Sequence, residues 1–385
     1  MRPFTSETDR ELADAVRTFA HGLEGRIQAA EEAGRFPREV MHELAALGVL
    51  GLTVPEADGG LGASAVAFAL VLEELAAVWP SLSVGVSVNS GIVAGSIVRL
   101  GTPEQRAVWL PQVIDGRGLA GFCLTEPSSG SDAASLRATA RRDGAGWVIH
   151  GTKLFVTNAR YAPFLIVLAR VGAVEAGRAH AGITAFVVPT DAPGVVIGPP
   201  EKKTGLLASE TSTVTFDGAR VGADAMLGAE GKAFGQVAMA GLDSGRIGIA
   251  AQAVGIARGA LERACVYARE RHQFGKPIAS FQAVQFSLAD ARTELEAARM
   301  LTLRAAWRKD ADLPYTREAA EAKLYASEMA NRVTYSAVQT LGGYGYMREY
   351  GVERYARDAR ATSIYEGTSE VQRMVIARAL LSEAA

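Results

Sequence analysis

Cysteine is scarce in this chain: 385 residues hold only two, Cys123 and Cys265, far apart and in no C-x-x-C pair. So small a supply fits a reducing compartment. The five histidines, His21, His42, His150, His180 and His272, are scattered, which argues against a catalytic metal. An excess of one charge is also missing. Forty basic against forty-two acidic side chains leave a net charge of −2, so neither nucleic acid nor an anionic membrane is expected as a general partner. The first ten residues lack the apolar core and small-residue cleavage pattern of a leader. No later run of about eighteen residues reads as apolar and uncharged, so no integral membrane segment is expected and the expected location is cytoplasmic.

What is present is apolar side chain, 49% of the total, enough for a large core divided over two or three domains. Leu12, Val16, Phe19, Leu23 and Ile27 recur every three or four residues, which predicts one amphipathic helix over the first thirty residues, capped by Thr5 and Ser6. Pro37, the Ala/Leu-rich stretch from Ser64 to Val78, and Pro103 after Thr102 predict further helices, the last ending by Pro111. Near residue 119 the pattern changes to short β-branched and aromatic runs: Trp147–His150, Phe164–Val171, Gly182–Val188 and Thr211–Phe216. Asp191-Ala-Pro-Gly194 marks one of the turns between them. Helical spacing returns near Gly231 and predicts four long helices and a short last one. The expected organisation is a helical domain over 1–118, a β domain over 119–230 and a helical bundle over 231–385.

Two apparent motifs lead nowhere. Gly60-Leu-Gly62-Ala-Ser-Ala65 fits G-x-G-x-x-A but lacks the strand and βαβ unit of a dinucleotide site. Glu39-Val-Met-His42 has the Glu-x-x-His spacing of carboxylate-bridged metals but lacks the second copy such sites need.

Other stretches carry more chemistry. Phe122-Cys-Leu-Thr-Glu-Pro-Ser-Ser-Gly-Ser-Asp132 concentrates hydroxyls and backbone donors in a loop that can hold a polar ligand or be an ordinary turn. Phe155-Val-Thr157 adds an aromatic face on which a planar ring can stack. Arg271-His-Gln-Phe-Gly-Lys-Pro277, Gln282 and Gln339-Thr-Leu-Gly-Gly343 place a cation, amides and glycines at helix ends, where phosphate binding and plain helix termination are both open. In Ile364-Tyr-Glu-Gly-Thr-Ser-Glu370, Glu366 stands between an aromatic and a glycine, with Thr368 and Ser369 available to cap a helix. A carboxylate there is either a desolvated base with its pKa lifted toward neutrality or a solvated acid at a helix start.

Together and in order, these five motifs resemble the acyl-CoA dehydrogenase family along essentially the whole chain. The resemblance implies an N-terminal helical domain, a middle β domain and a C-terminal four-helix bundle in a homotetramer, with FAD between the last two domains and across a subunit interface. It assigns the flavin ring to Phe122, Leu124, Thr125, Phe155, Val156 and Thr157, with Gly130 and Ser131 alongside. Arg271, Phe274, Gln282, Gln339, Gly342 and Gly343 would reach the adenosine and pyrophosphate from a neighbouring subunit, with Thr368 and Glu370 closing the site. Leu242, Asp243, Arg246, Ser131, Tyr365 and Gly367 match substrate-side positions.

Glu366 matches the family's base, which takes the pro-R α-proton while the β-hydrogen leaves as hydride. Some relatives carry the base at the position that is Gly245 here, and glycine cannot serve. Gln252, two helical turns beyond Gly245, and Thr362, one turn before Glu366, resemble the floor of short-chain enzymes. The implied function is oxidation of a saturated short-chain acyl-CoA to its trans-2-enoyl-CoA, with electrons passed to an electron-transferring flavoprotein. Alternatives on the same fold are a branched-chain acyl-CoA dehydrogenase and an acyl-CoA oxidase. A non-catalytic flavin- or CoA-binding protein fits the presence of Glu366 least.

Overall fold

The computed structural model describes residues 4–173 and 178–383. Helix α1 (Glu7–Gly22) starts from Ser6, whose Oγ accepts the Asp9 N–H at 3.0 Å while Asp9 Oδ2 accepts the Ser6 N–H at 2.7 Å. The single helix expected over the first thirty residues is interrupted. The N–H of buried Leu23 closes on Ala20 O, and α2 (Glu24–Ala33) begins one residue later. Both halves keep the three-and-four spacing, so periodicity could not expose the break. α3 (Arg38–Ala46) and α4 (Ala65–Val78) follow, the latter buried at every position.

Next come α5 (Pro80–Val86), a π-helical stretch over Ser87–Ala94 and α6 (Gly95–Leu100), which together make one 21-residue helix. By length and composition it could cross a membrane, contrary to the expectation that no run was apolar enough. However, 83% of its most apolar eighteen-residue window is buried inside the fold. Its Ser and Asn content disguised it in the sequence. Several of those polar groups are used internally: Ser83 and Ser90 donate to Leu72 O and Leu50 O, Asn89 Nδ2 donates to Val113 O and its Oδ1 accepts the Ala120 N–H. α7 (Pro103–Trp109), capped by Thr102, and α8 (Pro111–Ile114) lead into the β domain.

One mostly antiparallel sheet has the order β6–β7–β3–β2–β4–β5–β8. Its strands are β2 (Thr139–Asp143), β3 (Gly146–Thr157), β4 (Phe164–Arg170), β5 (Ile183–Pro189), β6 (Val195–Pro200), β7 (Thr211–Val221) and β8 (Met226–Leu227), with β1 (Gly121–Cys123) parallel to β4. All seven residues of β4 are buried because both faces of the sheet are covered. Phe164, Ile166 and Leu168 pack toward the N-terminal helices, whereas Leu165, Val167 and Ala169 pack with Trp147 and Phe216.

The last third has three long helices, α9 (Ala240–Glu270), α10 (Gln282–Asp310) and α11 (Thr316–Leu341), then two shorter ones, α12 (Val352–Thr362) and α13 (Ser369–Glu383). Four long helices were expected. The difference lies at Gly342 and Gly351, both with positive φ, where 3₁₀ turns replace helix and α12 begins afresh. α4 crosses α9 so closely that a Cβ at Gly259 would stand 2.1 Å from Ala77 O. The first and last thirds therefore share one core.

Candidate active site

Helix α12 stops at Thr362, and the chain turns back on itself before α13: Tyr365 N–H bonds Ala361 O, and Ser369 N–H bonds Ser363 O at 3.1 Å. Thr368 Oγ1 accepts the Val371 N–H, capping α13. Between these anchors Glu366 and Gly367 have φ of 51° and 93°, so a non-glycine residue occupies the left-handed region. Strain of this kind collects where surroundings hold a functional group in place.

The turn presses the Glu366 carboxylate onto α9 at Gly245, where a Cβ would lie only 1.7 Å from Oε2. That oxygen is buried and has no hydrogen-bond partner among the described residues. Burial pushes the carboxyl up to about 7, against the pull of the Lys323 and Arg246 cations. The Glu366 N–H also meets no acceptor among the described residues. The turn thus sets a carboxyl raised to about 7 beside a free backbone donor among the described residues, with α9 opposite.

Around this carboxylate, Tyr365 donates its hydroxyl to Gln252 Oε1, and Gln252 Nε2 donates to Pro80 O at 3.0 Å. Gln252 is fully buried with both ends of its amide engaged, so it forms a fixed wall. Thr362 is equally buried and bonds back to Ala359 O. One residue beyond Gly245, Arg246 is buried and paired with Asp243 at 2.5 Å, and Asp243 also accepts the Thr316 hydroxyl at 2.6 Å. Leu242 lies half-buried at the same end of α9.

The residues expected to hold a flavin fall into three groups. In the β domain, Phe122 and Leu124 are half-buried and pack on the same core cluster as Phe234 and Met239, where the chain enters α9. Leu154 N–H bonds Thr125 O, while Gly130 and Ser131 stay exposed and Thr157 half-buried. Phe155, with φ of 57°, turns a ring that is 65% exposed away from its strand. An exposed aromatic face beside hydroxyls and unobstructed Gly130 suits a planar, polar-edged ring. The Val156 side chain is fully buried on one face of the sheet, so only its backbone is placed to meet a ligand.

The second group occupies one end of the bundle. A tight hairpin (His272–Gln273 with Lys276–Pro277) carries Phe274, 92% exposed, next to Gln282 at the start of α10. Arg271 sits 5.5 Å over the Tyr344 ring, which joins the hairpin to the turn holding Gly342 and Gly343, just after Gln339. Thr368 and Glu370 form the third group, lining a cavity of about 500 Å³ with Glu328, Asn331 and Arg360. Glu328 and Gly342 lie about 20 Å apart along α11. One copy therefore does not unite the second and third groups.

Three family models match in chain order: the acyl-CoA dehydrogenase N-terminal domain over 6–117, middle domain over 121–219 and C-terminal domain over 235–381. The bovine short-chain specific mitochondrial acyl-CoA dehydrogenase is 43% identical over 376 residues, covering 97% of this chain and 90% of that one. The chain belongs to the acyl-CoA dehydrogenase family. Among the family's solved structures, butyryl-CoA dehydrogenase from Megasphaera elsdenii superposes with a TM-score of 0.94 at 39% identity, covering 98% of this chain and 99% of that one. A Mycobacterium smegmatis glutaryl-CoA dehydrogenase in complex with FADH2 gives 0.93 at 33%, covering 100% and 97%. The CarC subunit of the caffeyl-CoA reductase–Etf complex of Acetobacterium woodii is 39% identical over 382 residues, 99% of this chain and all of that one.

Sequence reasoning missed several residues that shape this acyl-CoA dehydrogenase site. Lys153, fully buried, donates to Leu124 O at 3.1 Å and to Glu126 at 2.8 Å, and Glu126 also accepts the Arg137 and Ala138 N–H groups. This ion pair braces the loop under Leu124 and Thr125. Lys323 and Gln372 stand behind the Glu366 turn. A signal for Lys323 was present, since it is a lone cation on the stripe Ala319, Ala322, Ala326 and Ala330 that faces the core.

Proposed function

We propose that this acyl-CoA dehydrogenase oxidises a saturated short-chain acyl-CoA to the trans-2-enoyl-CoA, with Glu366 as the base. The observation that carries the reading is the Glu366 carboxylate: buried, unpartnered at Oε2, near neutrality and seated against a glycine. A pKa near working pH gives the best compromise between being deprotonated and being basic.

The α-proton passes to Glu366, and the β-hydrogen leaves with its electron pair. FAD, when bound, supplies the acceptor for that hydride. The Glu366 N–H has no partner among the described residues and is suited to meet the thioester carbonyl as negative charge grows on its oxygen. Phe122, Leu124, Thr125, Phe155 and Thr157 would hold the ring, and the Gln252–Tyr365 wall would close the acyl end. Short-chain preference is supported by that wall and by the likeness to butyryl-CoA dehydrogenase.

An electron-transferring flavoprotein is the proposed acceptor, in keeping with the Etf complex named for the Acetobacterium relative. A homotetramer is proposed because the phosphate-side residues need a second copy, and a cytoplasmic location is proposed with it, in keeping with the scarcity of cysteine. The deciding experiment is anaerobic titration of the yellow protein with straight, 2-methyl-branched and aryl acyl-CoAs. Bleaching of the flavin band is expected, strongest with C4 to C6 chains. If no acyl-CoA bleaches it, the enzymatic reading fails.

A further inference from the structure

The turn that carries Glu366 is held from behind by two buried side chains. Lys323, on the core face of α11, is fully buried, and its Nζ donates to Gly367 O at 2.7 Å. Gln372, also fully buried, donates from Nε2 to the same oxygen at 2.8 Å and to Glu366 O at 3.4 Å. Both carbonyls belong to the two residues with positive φ, so these donors fix the part of the chain with the least intrinsic preference for its conformation.

A glutamine would suffice for that mechanical task, and an ammonium costs far more to bury. The cation must have a further partner, and the carboxylate on the turn it holds is the first that supports its charge. Burial pushes Lys323 down to about 8, and Glu366 is foremost among the groups opposing the fall. The other charges facing Lys323 are Arg246 from α9, which depresses it, and Glu328 and Glu370, which support it. The cations facing Glu366 are Lys323 and Arg246, and the neighbouring Tyr365 hydroxyl, bonded to Gln252, is held protonated by burial and in part by the Glu366 charge.

We propose that Lys323 is a positioning residue for proton abstraction: it clamps the Gly367 carbonyl to aim the Glu366 carboxylate along α9 at Gly245, and its charge keeps that carboxylate ionised at working pH. The inference rests on the proposed role of Glu366 and goes beyond it in naming what makes that base usable. Without the ammonium, a buried carboxylate with one remaining cation nearby would hold its proton to higher pH.

The test is stopped-flow reduction of the FAD-loaded tetramer by butyryl-CoA, without oxygen, from pH 5.5 to 9. In the wild type the rate should rise through a limb near pH 7. In Lys323→Met the limb should move up by about one pH unit, the low end of the shift that removing an opposite charge produces. Lys323→Gln, which keeps a donor for Gly367 O, should show the same shift with a higher plateau than Lys323→Met. It also serves if the methionine variant does not fold or load FAD. An infrared titration of the Glu366 carboxyl band, identified by its loss in Glu366→Gln, should show the same displacement without turnover. A limb and carboxyl band unmoved in either variant, or a loss equal at every pH, would overturn the proposal. A wild type that butyryl-CoA and longer acyl-CoAs fail to bleach would instead overturn the functional reading itself.

Discussion

Glu366 and Gly245 define each other. Because a Cβ at 245 would overlap the carboxylate, Gly245→Ala should force the base out of place while leaving the flavin-side residues untouched. We expect at least about a hundredfold loss in flavin reduction rate with FAD content unchanged, the usual scale for misplacing a reacting group by about an ångström. Stoichiometric FAD with a normal rate would show that the carboxylate acts from elsewhere.

Glu366→Gln keeps the shape and removes the proton acceptor, so reduction should fall by several orders of magnitude. The same variant probes stability. A carboxyl raised to about 7 in the fold, from an ordinary 4.5, binds its proton more tightly folded than unfolded, so its stabilising effect is complete below pH 4.5 and lost as pH rises through 7. Glu366→Gln should therefore gain in melting temperature relative to wild type as pH rises from 4.5 to 7. A gap that is constant with pH would deny the buried state of this carboxyl.

At the scale of elements, Gln252 links α9, the Pro80 end of α5 and the Glu366 turn. Gln252→Gly should open that wall and move chain-length preference from C4–C6 toward C8 and longer, each admitted methylene contributing about 0.8 kcal/mol of apolar burial. Comparing kcat/KM across a C4 to C12 series decides it. A wild type equally active on C12 and C4 would mean the wall does not limit the chain. Elements of this sort were legible where one physical rule governed them: alternation revealed β7, and Thr102 with Pro103 marked the start of α7. Legibility failed where tertiary contacts decided. Leu23 breaks a helix without breaking its period, Asn89 is polar yet buried on two backbone partners, and Val156 points into the sheet although both neighbours were read as ligand-facing. Glu366 was legible from its neighbours, but Lys323, 43 positions earlier, joins it only through the packing of α11 against the turn.

The whole molecule shows more apolar surface than a lone copy in water would favour: Phe274, Phe286, Tyr346, Met374 and Leu381 are each at least 61% exposed. Phe274, Phe286 and Tyr346 lie near the phosphate-side residues in sequence, and Met374 and Leu381 lie on the last helix, in keeping with the proposed tetramer. Arg271→Ala should weaken FAD retention and tetramer stability together, since one cation would serve a phosphate belonging to another subunit's site. Flavin-to-protein ratio and light-scattering mass measure both, and an unchanged pair would leave Arg271 a surface residue.

The 21-residue helix Pro80–Leu100 also bears on how the protein is lost as well as how it is built. It lies in the core with a composition that lipid would accept, so any excursion that separates the domains frees a segment that water does not. Heated protein should then aggregate before it can refold, and its lifetime should be set by the rate of opening rather than by an equilibrium. Calorimetric transitions should shift upward with scan rate and vanish on a second scan; a reversible, rate-independent transition would show that this helix is recaptured faster than it finds another molecule.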